Sequence, residues 1–494
     1  MFEIAELGHT VKKSDYKKQV PELRVKLLEA QQLLRDCDFP VIILVSGVDG
    51  GGKGEIINLL NEWMDPRYIR TNAFAEPSDE ERERPRFWRY WRTFPSDGFI
   101  AIYVGSWYSD PIALSIYEQI DDLQLKIELS NIKQLERELV ADGALIIKCW
   151  LHLSKDAQKK RLKSLEKDPE TSWRVTNKDK KHLKLYDKFI TVAEQVIKET
   201  STGEAPWLIV DGSDIRYSSL TVGQHVLDRI TRHIEHRSNH CPEPGAEVQP
   251  AIYVAQQSLL DTLDLTLSLD KKDYNEALAD QQARLGKLIR TAREQKLSCI
   301  LVFEGWDAAG KGGSIRRITR AVDARNYQVI QIAAPTDEEK AHHYLWRFWR
   351  HIPRAGKLTI YDRSWYGRVL VERVEGFASK EEWMRGYAEI VNFEEALTEH
   401  GILLLKFWLH IDKDEQLKRF KEREQISYKR YKITEEDYRN RERWDDYELA
   451  VNEMVTRTST QQAPWILVEG NDKRYARIKI LKTFCDNLEE KLSD

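Results

Sequence analysis

The run Gly305-Trp-Asp-Ala-Ala-Gly-Lys-Gly312 carries the strongest chemical signal in the chain. A glycine, four residues, a glycine and a lysine is the spacing of a phosphate-binding P-loop. Gly305, Gly310 and Gly312 let the backbone curl so that consecutive N–H groups face phosphate oxygens. A helix starting there adds partial positive charge, and Lys311 adds a full one. A Gly-rich turn with a surface lysine is the plainer alternative. One position departs from the usual pattern. The Ser or Thr whose hydroxyl would touch Mg²⁺ is Gly312. Asp307, inside the loop, is the natural substitute: it can hold the metal or accept a proton from an attacking phosphate.

The second signal is Tyr361-Asp-Arg-Ser-Trp-Tyr366, which closes an apolar run. An acid at the end of a strand beside the P-loop strand is placed to hold Mg²⁺, so Asp307 and Asp362 form the expected metal pair. Arg363 would face the phosphates, and a strand-end salt bridge is the alternative. Arg316, Arg317 and Arg320 continue the helix after the loop, followed by Asp323 and Arg325. Arg347 and Arg350 lie among aromatics and read equally as a polyanion groove or as solvated arginines on a packed helix. Arg368, Glu372, Arg373 and Glu375 could bind a second metal, but mutual pairing is the favoured reading. Between Asp412 and Tyr447 the charge density suits a solvated helix face or a basic lid closing on phosphates. Arg419, Arg423 and Lys432 are the expected lid contacts.

These groups need a scaffold that brings a loop and several strand ends together. Cys299-Ile-Leu-Val-Phe303, Leu358-Thr-Ile-Tyr361, Ile402-Leu-Leu-Leu-Lys-Phe-Trp408 and Trp465-Ile-Leu-Val468 are short apolar runs separated by helical stretches. That alternation predicts an α/β domain with a mostly parallel sheet. The pattern occurs twice. Gly47-Val-Asp-Gly-Gly-Gly-Lys-Gly54 precedes its counterpart by 258 residues, the distance from Gly47 to Gly305. The same offset relates Arg89-Tyr-Trp-Arg92 to Arg347-Phe-Trp-Arg350, Ser106-Trp-Tyr108 to Ser364-Trp-Tyr366, and Ala205-Pro-Trp207 to Ala463-Pro-Trp465. The chain is a tandem duplication. The Pro- and Gly-containing segment His236–Gly245 reads as the linker, so the expected domains are 1–245 and 246–494.

Composition narrows the classes. The 494 residues include 77 Lys+Arg against 81 Asp+Glu, a balance that argues against a general nucleic-acid coat. Hydrophobic residues make up 41%, enough for packed cores. No apolar run approaches the roughly 20 residues of a membrane span. The amino terminus lacks a signal-peptide pattern, so a cytoplasmic location is expected. The five cysteines are scattered, with no CxxC pair, which argues against a zinc or disulfide framework.

The copies are not equivalent. Asp362 and Arg363 correspond to Val104 and Gly105; Arg316, Arg317 and Arg320 to Asn58, Leu59 and Glu62; Arg368, Glu372, Arg373 and Glu375 to Asp110, Leu114, Ser115 and Tyr117. Asp49 and Lys53 survive, as do Asp65 and Arg67. Losing a metal-site acid and the adjacent arginine removes charge stabilisation on which phosphoryl transfer depends, so the first copy is expected to be inactive or very weak.

The G-x-D-x-x-G-K-G loop, the R-[YF]-W-R segment and Asp362-Arg-Ser-Trp-Tyr366 together resemble the polyphosphate kinase type 2 family, over nearly the whole chain and twice. The two-copy arrangement resembles that family's polyphosphate:AMP phosphotransferases. The resemblance implies a P-loop kinase-like three-layer sandwich with a helical lid. It also implies Mg²⁺ as cofactor and transfer of a terminal phosphate between inorganic polyphosphate and a nucleotide, here AMP giving ADP. Asp307, Lys311, Asp362 and Arg363 match its catalytic motifs, while Arg419, Arg423 and Lys432 match less specifically. Nucleic acid and membrane are not expected partners, and a homo-oligomer stays open. Two rivals remain at this point: an ATP-dependent nucleoside monophosphate kinase, against which Gly312 argues, and a non-enzymatic polyphosphate- or nucleotide-binding protein.

Overall fold

The computed structural model describes residues 1–239, 258–426 and 435–493. The boundary expected near residue 245, and Lys432 of the expected lid, lie outside the described residues. Two compact units are present. One comprises residues 1–77, 90–248 and 337–343; the other comprises 78–89, 249–336 and 344–494.

The first unit holds strands β1 (Val41–Gly47), β2 (Ile69–Ala73), β3 (Ile100–Val104), β4 (Leu145–His152) and β5 (Trp207–Asp211). They form one sheet in the order β2-β3-β1-β4-β5, every pair parallel. The second unit repeats this with β6 (Cys299–Gly305), β7 (Tyr327–Gln331), β8 (Leu358–Asp362), β9 (Leu403–His410) and β10 (Trp465–Glu469), in the equivalent order β7-β8-β6-β9-β10. Parallel neighbours require crossover connections, and the helices that make them cover the faces of the sheet. That is why the strands are apolar on both sides: Val41, Ile42, Ile43 and Leu44 are all fully buried. Odd-numbered residues of β1 face Leu27, Ile56, Leu60 and Val226 in one core cluster. Burying a side chain of this size contributes about 1.5–3 kcal/mol.

The strand order decides where the site falls. β6 is central, flanked by β8 and β9, so the carboxyl ends of β6 and β8 lie side by side. Crevices at such strand ends are the ligand positions of open α/β sheets. Gly305 ends β6 at φ +145°, where a Cβ would lie 2.4 Å from the Leu409 carbonyl oxygen; only glycine lets the chain turn there.

Candidate active site

In the second unit, β6 runs into the loop Gly305–Gly310 and then the helix Lys311–Thr319. Lys311 Nζ donates to the carbonyl oxygens of Gly305 at 2.5 Å and Trp306 at 3.3 Å, which holds the ammonium over the loop. Asp307 accepts from Arg363 Nη2 and from Asn440 Nδ2, both at 3.1 Å, and its side chain is 16% exposed. Burial pushes its carboxyl up, but Lys311 and Arg363 outweigh burial and hold it below the ordinary range. Asp307 is therefore ionised at neutral pH and better suited to binding a cation than to taking a proton.

Asp362 closes β8. Its Oδ2 comes within 4.0 Å of where a Cβ on Gly312 would stand, so the strand end and the start of the P-loop helix are adjacent. The Asp362 carboxylate makes no hydrogen bond or ion pair among the described residues. Arg363 adopts φ +65°, a left-handed conformation that costs a non-glycine residue roughly 1–2 kcal/mol. Its backbone N–H is anchored on the Phe303 carbonyl oxygen at 3.0 Å, and the strain directs its guanidinium to Asp307. Strain retained at such a point is a mark of function. Its counterpart Gly105 has φ +69°, so the first unit keeps the bend without the charge.

No cluster of three His, Cys, Asp or Glu side chains suited to a metal occurs among the described residues. Mg²⁺ does not need one. It is held by one or two carboxylates, with substrate phosphates and water completing the octahedron. An ionised Asp307 and an uncommitted Asp362 fit that demand.

The structure sorts the other expected residues. Arg316 is exposed on the second turn of the P-loop helix, while Arg317 bends to Gly313 O at 3.1 Å and Tyr274 Oη at 3.4 Å. Arg320 is the helix C-cap, roughly 13 Å along the axis from Lys311, and so lies outside the phosphate loop. Asp323 and Arg325 are also misplaced by the sequence reading. They pair with each other at 2.6 Å and cap the turn that enters β7, at the opposite end of the sheet from the P-loop. Asp65 and Arg67 repeat this in the first unit, so it is a local structural device. Arg347 donates to Ala333 O at 2.9 Å and Arg350 lies over Trp346, 4.6 Å from the ring centroid.

Arg368 pairs with Glu372 at 3.2 Å, the pairing favoured from sequence. Arg373 pairs with Glu453 at 2.6 Å and covers Trp383, so it joins helices rather than meeting substrate. Glu375 accepts from Tyr447 at 3.3 Å and pairs with Arg439 and Arg443, fastening the helices Glu435–Glu442 and Trp444–Thr458. Arg423 is half-buried and faces Asp437 and Asp307; burial lowers its pKa.

Arg419 requires a correction. Its side chain is 2% exposed. Nε donates to Glu415 at 2.7 Å, Nη1 to Ala308 O and Ala309 O at 3.0 and 2.9 Å, and Nη2 to Gly470 O and Asn471 O at 2.7 and 2.8 Å. Every donor is committed to protein, so Arg419 clamps the P-loop from beneath instead of contacting phosphate.

Glu304 and Asn440 were missed. Glu304 is buried, accepts from Ser364 Oγ at 2.8 Å, and is pushed up by burial against the pull of Lys311 and Arg363. Their counterparts are Ser46 and His182. In the first unit His182 Nδ1 lies 2.6 Å from Asp49 and Lys53 lies 3.7 Å from it, so that loop's charges are satisfied internally. Position-by-position comparison of the copies was the available signal for both residues.

Fold and site together define an α/β protein in which a Gly-rich strand–loop–helix occurs twice and the full charged constellation once. The profile of the polyphosphate kinase 2 family matches residues 10–238 and again 268–494, and the chain belongs to that family. A polyphosphate:AMP phosphotransferase of Pseudomonas aeruginosa is 52% identical over 491 residues, covering 99% of each chain. Another, from Pseudomonas syringae pv. tomato, is 50% identical over 493 residues, covering 99% of this chain and 98% of its own. A crystal structure described as a polyphosphate kinase 2 from Pseudomonas aeruginosa superposes with a TM-score of 0.89 at 49% identity, covering all of both chains.

Proposed function

We propose that this chain transfers the terminal phosphate of inorganic polyphosphate to AMP, giving ADP and a polymer one unit shorter. The observation that carries this reading is end-to-end similarity, at 52% identity, to a polyphosphate:AMP phosphotransferase. In the reaction an α-phosphate oxygen of AMP attacks the terminal phosphorus, and the bridging P–O bond to the rest of the polymer breaks. The shortened polymer leaves with the electron pair on its new terminal oxygen. Lys311 and Arg363 stand where charge on the transferred group would be neutralised. Asp307 and Asp362 would hold Mg²⁺, which supplies charge neutralisation across the phosphates when bound. Arg423 and the helices fastened by Glu375 would help exclude water.

The first unit does not catalyse in this reading. Val104 and Gly105 replace the acid and the arginine, and a Cβ on Gly105 would lie 2.4 Å from the Phe74 carbonyl oxygen, so no larger side chain fits without a backbone shift. No helix among the described residues is long and apolar enough to cross a membrane.

The test offers purified protein AMP and Mg²⁺ with either long-chain polyphosphate or ATP, and reads nucleotides by chromatography. ADP from polyphosphate, and a fall of about 10²–10³ in kcat for Asp362→Asn with an unchanged melting temperature, supports the reading. ADP from ATP alone sinks it, as does full activity in Asp362→Asn.

A further inference from the structure

Glu304 is a buried carboxyl group to which the transfer step described above gives no part. It stands next to last in β6 and is 6% exposed. An acid in such a place costs stability unless its hydrogen bonds compensate. Its Oε1 accepts from Ser364 Oγ at 2.8 Å, and Ser364 Oγ in turn accepts from the backbone N–H of Tyr366 at 3.3 Å. The sheet register pairs Phe303 with Asp362, and the Arg363 N–H donates to the Phe303 carbonyl oxygen. Glu304 therefore grips the chain just where β8 leaves the sheet.

The residue between the two grips is the strained one. Asp362 is held by the ladder to β6, Ser364 is held by Glu304, and Arg363 lies between them at φ +65°. A left-handed conformation at a non-glycine residue persists only where its surroundings over-determine it. Without the second grip the turn is free to relax to negative φ, and the Arg363 guanidinium would swing away from Asp307. The carboxyl of Glu304 also lies close enough to Lys311, Arg363 and Asp362 to feel the charge of each.

The first unit serves as the control. Ser46 stands in place of Glu304, while Ser106, Trp107 and Tyr108 repeat Ser364, Trp365 and Tyr366. Ser106 Oγ still accepts from Tyr108 N–H, at 3.4 Å. Trp107 and Tyr108 donate to Glu136 as Trp365 and Tyr366 donate to Glu394. The segment after the strand is thus built without a glutamate. What the first unit lacks is the strain: Gly105 adopts φ +69°, which glycine does at no steric cost. Glu304 is present where an arginine must be held in that conformation and absent where a glycine takes its place.

We infer that Glu304 is a positioning residue: through its hydrogen bond to Ser364 it holds Arg363 in the left-handed turn, and so fixes the Asp362 carboxylate and the Arg363 guanidinium beside the loop. The inference rests on the function proposed above for the part those two residues play. The bond, not the charge, performs the task, so a neutral acceptor of the same shape serves in its place.

The test combines steady-state kinetics and amide hydrogen exchange of the full chain for Glu304→Ser, Glu304→Gln, Ser364→Ala and the double variant Glu304→Ser/Ser364→Ala. Glu304→Ser should lower kcat roughly ten- to hundredfold, the range of one hydrogen bond to a charged group. The KM values for AMP and for long-chain polyphosphate should stay within about twofold. Ser364→Ala should do the same, and the double variant should be no worse than the poorer single one, because the two side chains act as a unit. Glu304→Gln should recover most of the turnover, since its amide oxygen still accepts from Ser364. Additive losses in the double variant overturn the inference. So does a Glu304→Gln protein as impaired as Glu304→Ser, which would assign the role to the charge. Hydrogen exchange over residues 358–370 reads the turn without turnover: faster exchange there in Glu304→Ser, with β9 unchanged, is expected, and unchanged exchange in residues 358–370 rejects the inference. If the unsubstituted chain makes no ADP from polyphosphate, the proposed function has failed, and the exchange comparison alone decides whether Glu304 holds the turn.

Discussion

Replacing Arg419 with alanine discriminates most sharply between a lid residue and a loop clamp. The substitution removes a buried guanidinium whose donors serve Glu415 and four backbone carbonyls, two of them in the P-loop and two after β10. Glu415 also loses the guanidinium that holds its carboxyl below the ordinary range against burial. Removing one partner from a buried charged network costs about 3–5 kcal/mol. In a unit of this size each kcal/mol moves a thermal midpoint by roughly 2–4 °C, so the transition of the second unit should fall by about 6–20 °C. Lysine in place of arginine rescues little, because three donors on a point charge cannot span four carbonyls. Calorimetry of the full chain reads the shift, and Arg423→Ala serves as comparison. That neighbour has no recorded ion pair among the described residues, and its loss should move the midpoint by less than about 1 kcal/mol equivalent while lowering turnover. An unshifted midpoint for Arg419→Ala with a raised KM for polyphosphate would refute the clamp and return Arg419 to the substrate.

Two further outcomes follow from buried groups. Lys406 Nζ donates to Glu394 at 2.7 Å, Tyr366 at 2.9 Å and the Thr458 carbonyl at 2.7 Å, and Lys148 repeats the arrangement with Glu136, Tyr108 and Thr200. Because the first unit keeps it while carrying Val104 and Gly105 in place of Asp362 and Arg363, the network is structural: Lys406→Met and Lys148→Met should each destabilise by about 3–5 kcal/mol, read in calorimetry of the full chain. His410 Nδ1 accepts from Trp306 Nε1 at 3.1 Å, and burial lowers its pKa to about 4. The unfolded histidine titrates near 6.5, so between about pH 6.5 and 4 the unfolded state binds the proton and the folded state does not. Stability is therefore intact above pH 6.5 and falls by up to about 3 kcal/mol as pH drops to 4. His410→Gln, which cannot titrate, should flatten that part of the pH–stability profile, and an unchanged profile would contradict the assignment.

The amino-acid sequence by itself determined the duplication, the parallel α/β class and the strand–loop–helix around Gly305–Lys311. Those features are written in local patterns: apolar runs of strand length, glycines at fixed spacing, and a constant offset between the copies. Asp307, Lys311, Asp362 and Arg363 were legible because strand order places the ends of neighbouring strands together. The remaining arginines were not, because a charged residue in a polar helix carries no mark of the face it occupies. Arg419, expected on a lid, lies beneath the loop; Asp323 and Arg325, close to the loop in sequence, lie at the far end of the sheet. Glu304 and Asn440 come from two separate elements, the strand Cys299–Gly305 and the helix Glu435–Glu442, which are far apart in the chain. Only tertiary packing decides which of these charges is desolvated, which finds a partner, and which is left facing the cleft, because the balance between burial and pairing is set by neighbours distant in the chain.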